Sequence, residues 1–155
     1  MHMTRDWLCA HIPHAGAMCL LAGVESWDAQ RIVCRADSHR LADHPLRSGG
    51  RLSMVHGVEY AAQAMAVHSA LLAHSAGKPA IGYLASVRDT HWFRARLDDV
   101  QADVWVQAER ISGDERLVLY RFELTAERER LLTGRASVLI DAGRVGTPMG
   151  AGGAS

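Results

Sequence analysis

A histidine, a glutamate and a glutamine follow one another at spacings of three and four residues inside an apolar stretch of the chain. His56, Glu59 and Gln63 lie in "MVHGVEYAAQAMAVHSALLAHSA", residues 54–76, where Glu59 is the only formally charged residue. Side chains three or four residues apart face the same side of a helix. Imidazoles and carboxyl groups are common proton donors and acceptors in enzymes, so the spacing predicts acid–base chemistry near one end of a helix.

Glu59 is the candidate general acid. A carboxyl group among apolar residues keeps its proton to higher pH, because burial disfavours the charged form. The alternative is a carboxylate that stabilises the N-terminal end of the helix dipole and faces a loop or solvent. Gln63, one turn later, can orient Glu59 through a hydrogen bond, or can be an interior amide bonded to the backbone elsewhere.

Two histidines are candidates for the base. His44 lies in the loop segment "HPLRSGGRLSM", and His56 lies on nearly the same helical face as Glu59. An ordinary histidine has a pKa of about 6.5, which suits a base in neutral solution. The sequence leaves open that His44 has no role and that His56 only packs. Gly57 permits close approach of a substrate to the amides of the first helical turn, or close packing of the helix.

Composition restricts the partners of this chain of 155 residues, a length typical of one domain. Seventeen basic and seventeen acidic residues give zero net charge, which argues against nucleic acid and anionic membranes as partners. The start of the chain, "MHMTRDWLCAHIPHAGAM", lacks the continuous apolar stretch of a signal peptide. Residues 54–76 contain too many polar side chains for a membrane span. A cytoplasmic protein is predicted.

The cysteines and histidines predict neither a disulfide nor a metal centre. Cys9, Cys19 and Cys34 are odd in number and have no C-x-x-C spacing, which also favours a reducing compartment. His11 and His14 form an H-x-x-H without further ligands at diagnostic spacing. No metal is therefore expected, and no resident cofactor either, because the sequence has no P-loop and no G-x-G-x-x-G that opens a helix.

The apolar segment is predicted to be a helix from about Ser53 to Ser75, because it is rich in Ala, Met and Leu. Ser53 is the expected N-cap, and Gly77 followed by Pro79 is the expected stop. Apolar residues occupy nearly every face of this helix, so other elements should enclose it.

Strands are predicted on both sides of the helix. Residues 17–39 read as a hairpin that turns around "WDAQ", and four strands after the helix read as an antiparallel meander. The result is an α+β domain over residues 1–141, with an antiparallel sheet wrapped around one long central helix. The Gly-rich tail at 142–155 is expected to be flexible. Uncovered sheet edges favour a homo-oligomer.

Three motifs resemble those of the hotdog-fold 3-hydroxyacyl-acyl-carrier-protein dehydratases, and most closely the small dehydratase-like proteins of aryl-polyene pigment synthesis. They are "IPHAGAMCLLAGVESWD", which is similar to the family's opening segment, "GVEYAAQAMAVHSAL", which is similar to its E-A-x-A-Q helix motif, and "GYLASVRDTHWFRARLDD", which is similar to its long strand. The resemblance covers roughly residues 8–141.

This resemblance implies a hydro-lyase of fatty-acid or polyketide synthesis, in which a loop histidine and a helix acid from different subunits form each site. Glu59 matches the acid and Gln63 the glutamine. The family histidine falls at the position of Pro45, and His44 lies one residue earlier. The implied partners are an acyl carrier protein and a second hotdog chain, as a homodimer, heterodimer or higher oligomer. The substrate would be carried on phosphopantetheine or CoA.

Two other functions are compatible with the same residues. The family pattern around its histidine is H-F-P-x-x-P-x-M-P-G. The displaced histidine and the absence of the later prolines of that pattern from this chain suit a catalytically silent hotdog partner that stabilises an active dehydratase. Thioester hydrolysis is the third hypothesis, because one fold hosts several chemistries.

Overall fold

One antiparallel sheet of seven strands accompanies a single long helix in the computed structural model of the chain, which describes residues 3–12, 16–77 and 81–141. In chain order the elements are β1 (Met3–Thr4), α1 (Arg5–His11), β2 (Gly23–Trp27), β3 (Arg31–Ala36), α2 (Gly57–Ser75), β4 (Ile81–Trp92), β5 (Val104–Gly113), β6 (Leu117–Ala126) and β7 (Glu129–Asp141). Short 3₁₀ turns cover Gly16–Met18, Ser38–Arg40 and Met54–His56. The predicted α+β arrangement of a sheet with one long helix is confirmed.

The strand order is β1-β2-β3-β5-β6-β7-β4, with every pair antiparallel. The predicted hairpin is present as β2 and β3. The predicted four-strand meander is wrong, because β4 pairs with β7 and not with β5. Tight turns at 114–116 and 127–128 make β5, β6 and β7 consecutive neighbours in the sheet, whereas the longer connection 93–103 carries the chain away from β4.

The bounds of α2 follow local signals that the sequence contains. The Ser53 hydroxyl accepts a hydrogen bond from the Val55 amide at 3.3 Å and begins a 3₁₀ turn that continues into the helix. Gly77 has a φ of +69°, the left-handed conformation that ends a helix. Both predictions are confirmed. Every residue from Tyr60 to Leu71 is buried, as expected for a helix that lies inside the fold.

Strand β4 is an edge of the sheet, and large apolar side chains are exposed along it and just beyond it. Leu84 is 40 % exposed, Trp92 58 % and Phe93 55 %. One edge of β4 pairs with β7, and no described strand of this chain pairs with the other. Exposed apolar side chains beside unpaired backbone groups are typical of a surface that another chain covers.

Cys9 and Cys19 form a disulfide, with Cα atoms 5.7 Å apart. The prediction that the cysteines form no disulfide is therefore wrong: α1 and the turn before β2 bring together two residues that no sequence pattern pairs. The bond ties α1 to the segment that leads into β2. Cys34 is a buried free thiol on β3, and burial raises its pKa.

Among the described residues, no helix combines the length and apolar character needed to cross a membrane. The tail predicted at 142–155 lies outside the described residues, as do His14 and Pro79.

Candidate active site

The entry to α2 is pinned to the long connection between β4 and β5. The Met54 amide donates to the Ala95 carbonyl at 2.9 Å, and the Leu97 amide donates to the Leu52 carbonyl at 2.8 Å. The Leu52 amide donates to the Asp98 carboxylate at 2.9 Å. These three hydrogen bonds fix the position of the segment that leads into the first turn of α2, where Glu59 is located.

Asp98 is the charged centre of this attachment, with a side chain only 5 % exposed. Arg96 donates to both carboxylate oxygens of Asp98, at 3.1 and 2.5 Å, and Arg47 lies 3.6 Å from it. The hydrogen bond from Arg96 holds the pKa of Asp98 well below its usual range. Arg47 also donates to the Leu41 and Gly50 carbonyls, so the loop before α2 is held on both sides.

Glu59 lies in the first turn of α2 and is half-buried, more exposed than the sequence predicts. Gln63 is fully buried one turn later, and its Nε2 lies 3.5 Å from Glu59 Oε1. The shorter bonds of Gln63 go elsewhere: its Nε2 donates to the Met18 carbonyl at 2.5 Å, and its Oε1 accepts from the Leu20 amide at 2.9 Å. Gln63 therefore holds the 18–20 segment against the helix and contacts Glu59 with the same amide group.

His44 is buried at the start of a chain of hydrogen bonds. Its Nε2 lies 3.0 Å from the Tyr60 hydroxyl, and that hydroxyl lies 2.8 Å from Ser38 Oγ. Ser38 in turn donates to the Leu20 carbonyl at 2.7 Å. Because a carbonyl can only accept, the Ser38 hydroxyl hydrogen points to Leu20, Tyr60 donates to Ser38, and His44 Nε2–H donates to Tyr60.

The second nitrogen of the His44 ring is occupied as well. The Leu46 amide donates to His44 Nδ1 at 3.1 Å, so the proton of the neutral ring resides on Nε2. Burial, followed by the nearby charge of Arg47, lowers the pKa of His44. Burial also raises the pKa of Tyr60 to about 12. The structure thus favours a neutral His44 in a fixed tautomer.

His56 and Gly57 lie where the 3₁₀ turn passes into α2. The His56 and Gly57 amides already donate within the chain, to Ser53 and Met54 respectively. A Cβ added to Gly57 would lie 2.8 Å from Leu132 and 3.0 Å from Leu124. Gly57 therefore permits the helix to approach β6 and β7 closely, which is the packing alternative for this residue. His56 is half-buried and lies close enough to His44 for its charge to lower the pKa of His44.

The structure brings the predicted site residues into two neighbouring groups at one end of α2. Glu59 and Gln63 share a face of the helix, whereas His44 bonds to Tyr60, the residue after Glu59. The catalytic roles of Glu59 and His44 and the substrate-binding roles of His56, Gly57 and Gln63 stay predictions. Sequence reasoning missed Tyr60, although a tyrosine inside an apolar helix needs a partner for its hydroxyl.

Two further histidines are buried in the interior. His39 Nε2 lies 3.0 Å from the Val100 and Ala102 carbonyls. His68 accepts from the Tyr120 hydroxyl at 2.6 Å and donates to the Asp28 carbonyl at 2.7 Å. Burial lowers the pKa of both, as it does for His44. His39, His44 and His68 are called the buried histidines below.

A cavity of about 470 Å³ lies at the other end of α2, away from Glu59. Ser69, Ala76 and Tyr120 are among its lining residues. Ser69 is ten residues beyond Glu59, or about 15 Å along the helix axis. In the part of the chain that the structure describes, no three His, Cys, Asp or Glu side chains are grouped to hold a metal ion.

The sequence matches the model of the ApeP-like family, described as ApeP dehydratase, over residues 8–143. Among solved structures, the chain is similar to the dehydratase heterocomplex ApeI:P from Xenorhabdus doucetiae. The TM-score is 0.76 and the identity 20 %, over 90 % of this chain and 91 % of that one. No curated protein matches the sequence.

Thioesterases share the fold at lower similarity. A mutant thioesterase from Pseudomonas aeruginosa matches with a TM-score of 0.60 and 15 % identity, over 89 % of this chain and 94 % of that one. A mutant thioesterase from Staphylococcus aureus matches with a TM-score of 0.55 and 14 % identity, over 76 % and 91 %. At these identities the likeness concerns the fold, which is the hotdog fold predicted from the sequence.

Proposed function

The chain belongs to the ApeP-like dehydratase family, and we propose that it is one subunit of an enzyme that removes water from a 3-hydroxyacyl thioester. The substrate is carried on the phosphopantetheine of an acyl carrier protein, or on CoA, in fatty-acid or aryl-polyene polyketide synthesis. One observation carries the proposal: a half-buried carboxyl group in the first turn of the central helix, in contact with the Gln63 amide. We place the protein in the cytoplasm, a reducing compartment in which the Cys9–Cys19 disulfide would be subject to reduction.

Dehydration requires two proton transfers. A base removes the proton from Cα, and an acid protonates the hydroxyl on Cβ, so that the C–O bond breaks, the C=C bond forms and water leaves. Glu59 is the acid of this proposal and His44 its predicted base. In the tautomer described above Nε2 already carries the proton, so His44 can accept another only at Nδ1, after the Leu46 amide has released that nitrogen.

A second hotdog chain completes the enzyme in this proposal. The unpaired edge of β4 offers backbone groups for a strand of that chain, and the exposed Leu84, Trp92 and Phe93 offer apolar contacts. The similarity to a dehydratase heterocomplex supports a different hotdog chain as the partner, with a second copy of this chain as the alternative.

The test measures loss of water from a 3-hydroxyacyl-acyl carrier protein by the chain together with its hotdog partner. Replacing the acid in Glu59→Gln should lower kcat by about a hundredfold or more, because a positioned proton donor contributes that much. Glu129→Gln, at an exposed position on β7, is the matched control and should leave turnover unchanged. Equal turnover in wild type and Glu59→Gln would remove Glu59 from the mechanism.

The silent partner is the second candidate, because both ring nitrogens of His44 are engaged within the chain. In that case Glu59→Gln and His44→Gln leave turnover of the assembled enzyme unchanged, while omission of this chain lowers the stability of the active one. Thioester hydrolysis is separated by the product: it releases a free thiol, whereas dehydration keeps the thioester intact.

A further inference from the structure

Three arginines follow one another across the outer face of the sheet. The strand registers place Arg88 of β4 opposite Arg135 of β7, and Arg135 opposite Arg121 of β6. All three are exposed, while the neighbours of Arg121 along β6, Tyr120 and Phe122, point into the core. Adjacent strands lie about 4.8 Å apart, so this arginine row spans about 10 Å.

The positive charge of the arginine row is poorly compensated. Like charges directly opposite each other destabilise a sheet, so the arrangement carries a cost within the isolated chain. Asp89 reaches Arg135 only at 4.0 Å, and within the described residues the other two arginines of the row form no ion pair. Glu109 lies opposite Arg121, but Arg31 lies opposite Glu109 on its other side. The row and Arg31 carry four positive charges against the two negative charges of Asp89 and Glu109, so this face is locally basic although the chain as a whole has zero net charge.

Exposed leucines run beside the arginine row on the same face. Leu119 lies two residues before Arg121 on β6 and is 43 % exposed. Leu139 lies four residues after Arg135 on β7, is 49 % exposed, and pairs with Leu117, which is 42 % exposed. A cationic row beside an apolar strip is complementary to a surface that presents carboxylates beside apolar side chains.

We propose that this face docks an acidic amphipathic helix of a protein partner, and, resting on the proposed function, that the helix belongs to the acyl carrier protein. Side chains three or four residues apart on a helix lie about 5–6 Å from each other, close to the spacing of the strands. Carboxylates at positions i, i+3 or i+4, and i+7 can therefore each meet one arginine of the row. The helix then crosses β4, β7 and β6. Apolar residues on the adjacent side of the same helix contact Leu119 and Leu139.

The test uses the full chain with its hotdog partner and a bacterial holo-acyl carrier protein as the probe, with binding followed by fluorescence anisotropy. Arg121→Glu should weaken binding by about tenfold or more, because it replaces an attraction with a repulsion at the end of the row that lies beside Leu119. Arg5→Glu, at an exposed arginine on α1 beside the opposite edge strand β1, is the control and should change affinity less than about twofold. Wild-type affinity should fall as salt rises.

A second variant and a second substrate separate the possible outcomes. Leu119→Ser should weaken binding without changing its salt dependence, which tests the apolar strip by itself. Arg121→Glu should leave turnover of a carrier-free 3-hydroxyacyl N-acetylcysteamine thioester unchanged. If wild type binds the carrier but dehydrates neither that thioester nor a 3-hydroxyacyl-acyl carrier protein, the proposed function fails and the docking surface stands. The docking surface is overturned if Arg121→Glu binds the carrier as tightly as wild type does. It is also overturned if Arg5→Glu loses as much affinity as Arg121→Glu.

Discussion

Replacing Tyr60 by phenylalanine removes one buried hydroxyl and adds no volume, so it tests the hydrogen-bond chain that holds His44. The hydroxyl accepts from His44 and donates to Ser38. Without it, the His44 Nε2–H has no acceptor at a site where the residue is only 4 % exposed. A buried donor left unpaired costs about 1–3 kcal/mol, and the lost bond to Ser38 adds about 1 kcal/mol. Tyr60→Phe should therefore lower the free energy of unfolding by about 2–4 kcal/mol.

Urea unfolding at fixed protein concentration measures this change, because an oligomer gains apparent stability with concentration. The midpoint should fall while the dependence on urea stays constant, and Tm should drop by roughly 4–16 °C. Tyr83→Phe is the matched control: Tyr83 is half-buried on β4, and its hydroxyl has no hydrogen bond within the described residues. It should cost less than about 0.5 kcal/mol. A Tyr60→Phe protein as stable as the control would refute the proton assignment along the chain.

Two further predictions concern charge and pH. Asp98→Asn should lower the free energy of unfolding by about 1–3 kcal/mol, because the buried carboxylate that accepts from the Leu52 amide also pairs with two arginines. Urea unfolding measures this loss, and a loss of less than about 0.5 kcal/mol would contradict the prediction. For the buried histidines, the pKa is lower in the folded than in the unfolded chain, so the unfolded chain binds more protons as pH falls through about 6.5. Stability should decline from pH 7.5 to 5.5, by at most about 1.4 kcal/mol per pH unit for each histidine, and a rise over that interval would contradict the assigned shifts.

Local signals predicted the helix, whereas pairings between residues far apart in the sequence could not be predicted from it. Ser53 and Gly77 act on neighbours a few residues away, so their cap and stop could be read from the chain. The pairing of β4 with β7 depends on which edge is free after β5, β6 and β7 have joined, and no local pattern encodes that choice. Nor does spacing reveal that Cys9 meets Cys19.

The candidate site divides in the same way. The four-residue spacing of Glu59 and Gln63 correctly predicted that they are neighbours. The stronger bonds of Gln63, to Met18 and Leu20, cross separations of 45 and 43 residues and could not be predicted. The bond between His44 and Tyr60 also required the loop to fold back over the helix. Burial of Glu59 was overestimated, since an apolar helical segment does not specify which part of it the rest of the chain covers.

The strand order also sets the sequence of events during synthesis. β4 is complete at Trp92, but its strand partner within the chain, β7, is not complete until Asp141. During translation of the intervening residues, at about 5–20 residues per second, both edges of a long strand with exposed apolar side chains lack a partner within the nascent chain. For a few seconds the growing polypeptide is most open to aggregation and to capture by another chain. We expect a higher soluble yield when the hotdog partner is synthesised in the same cell than when it is added afterwards.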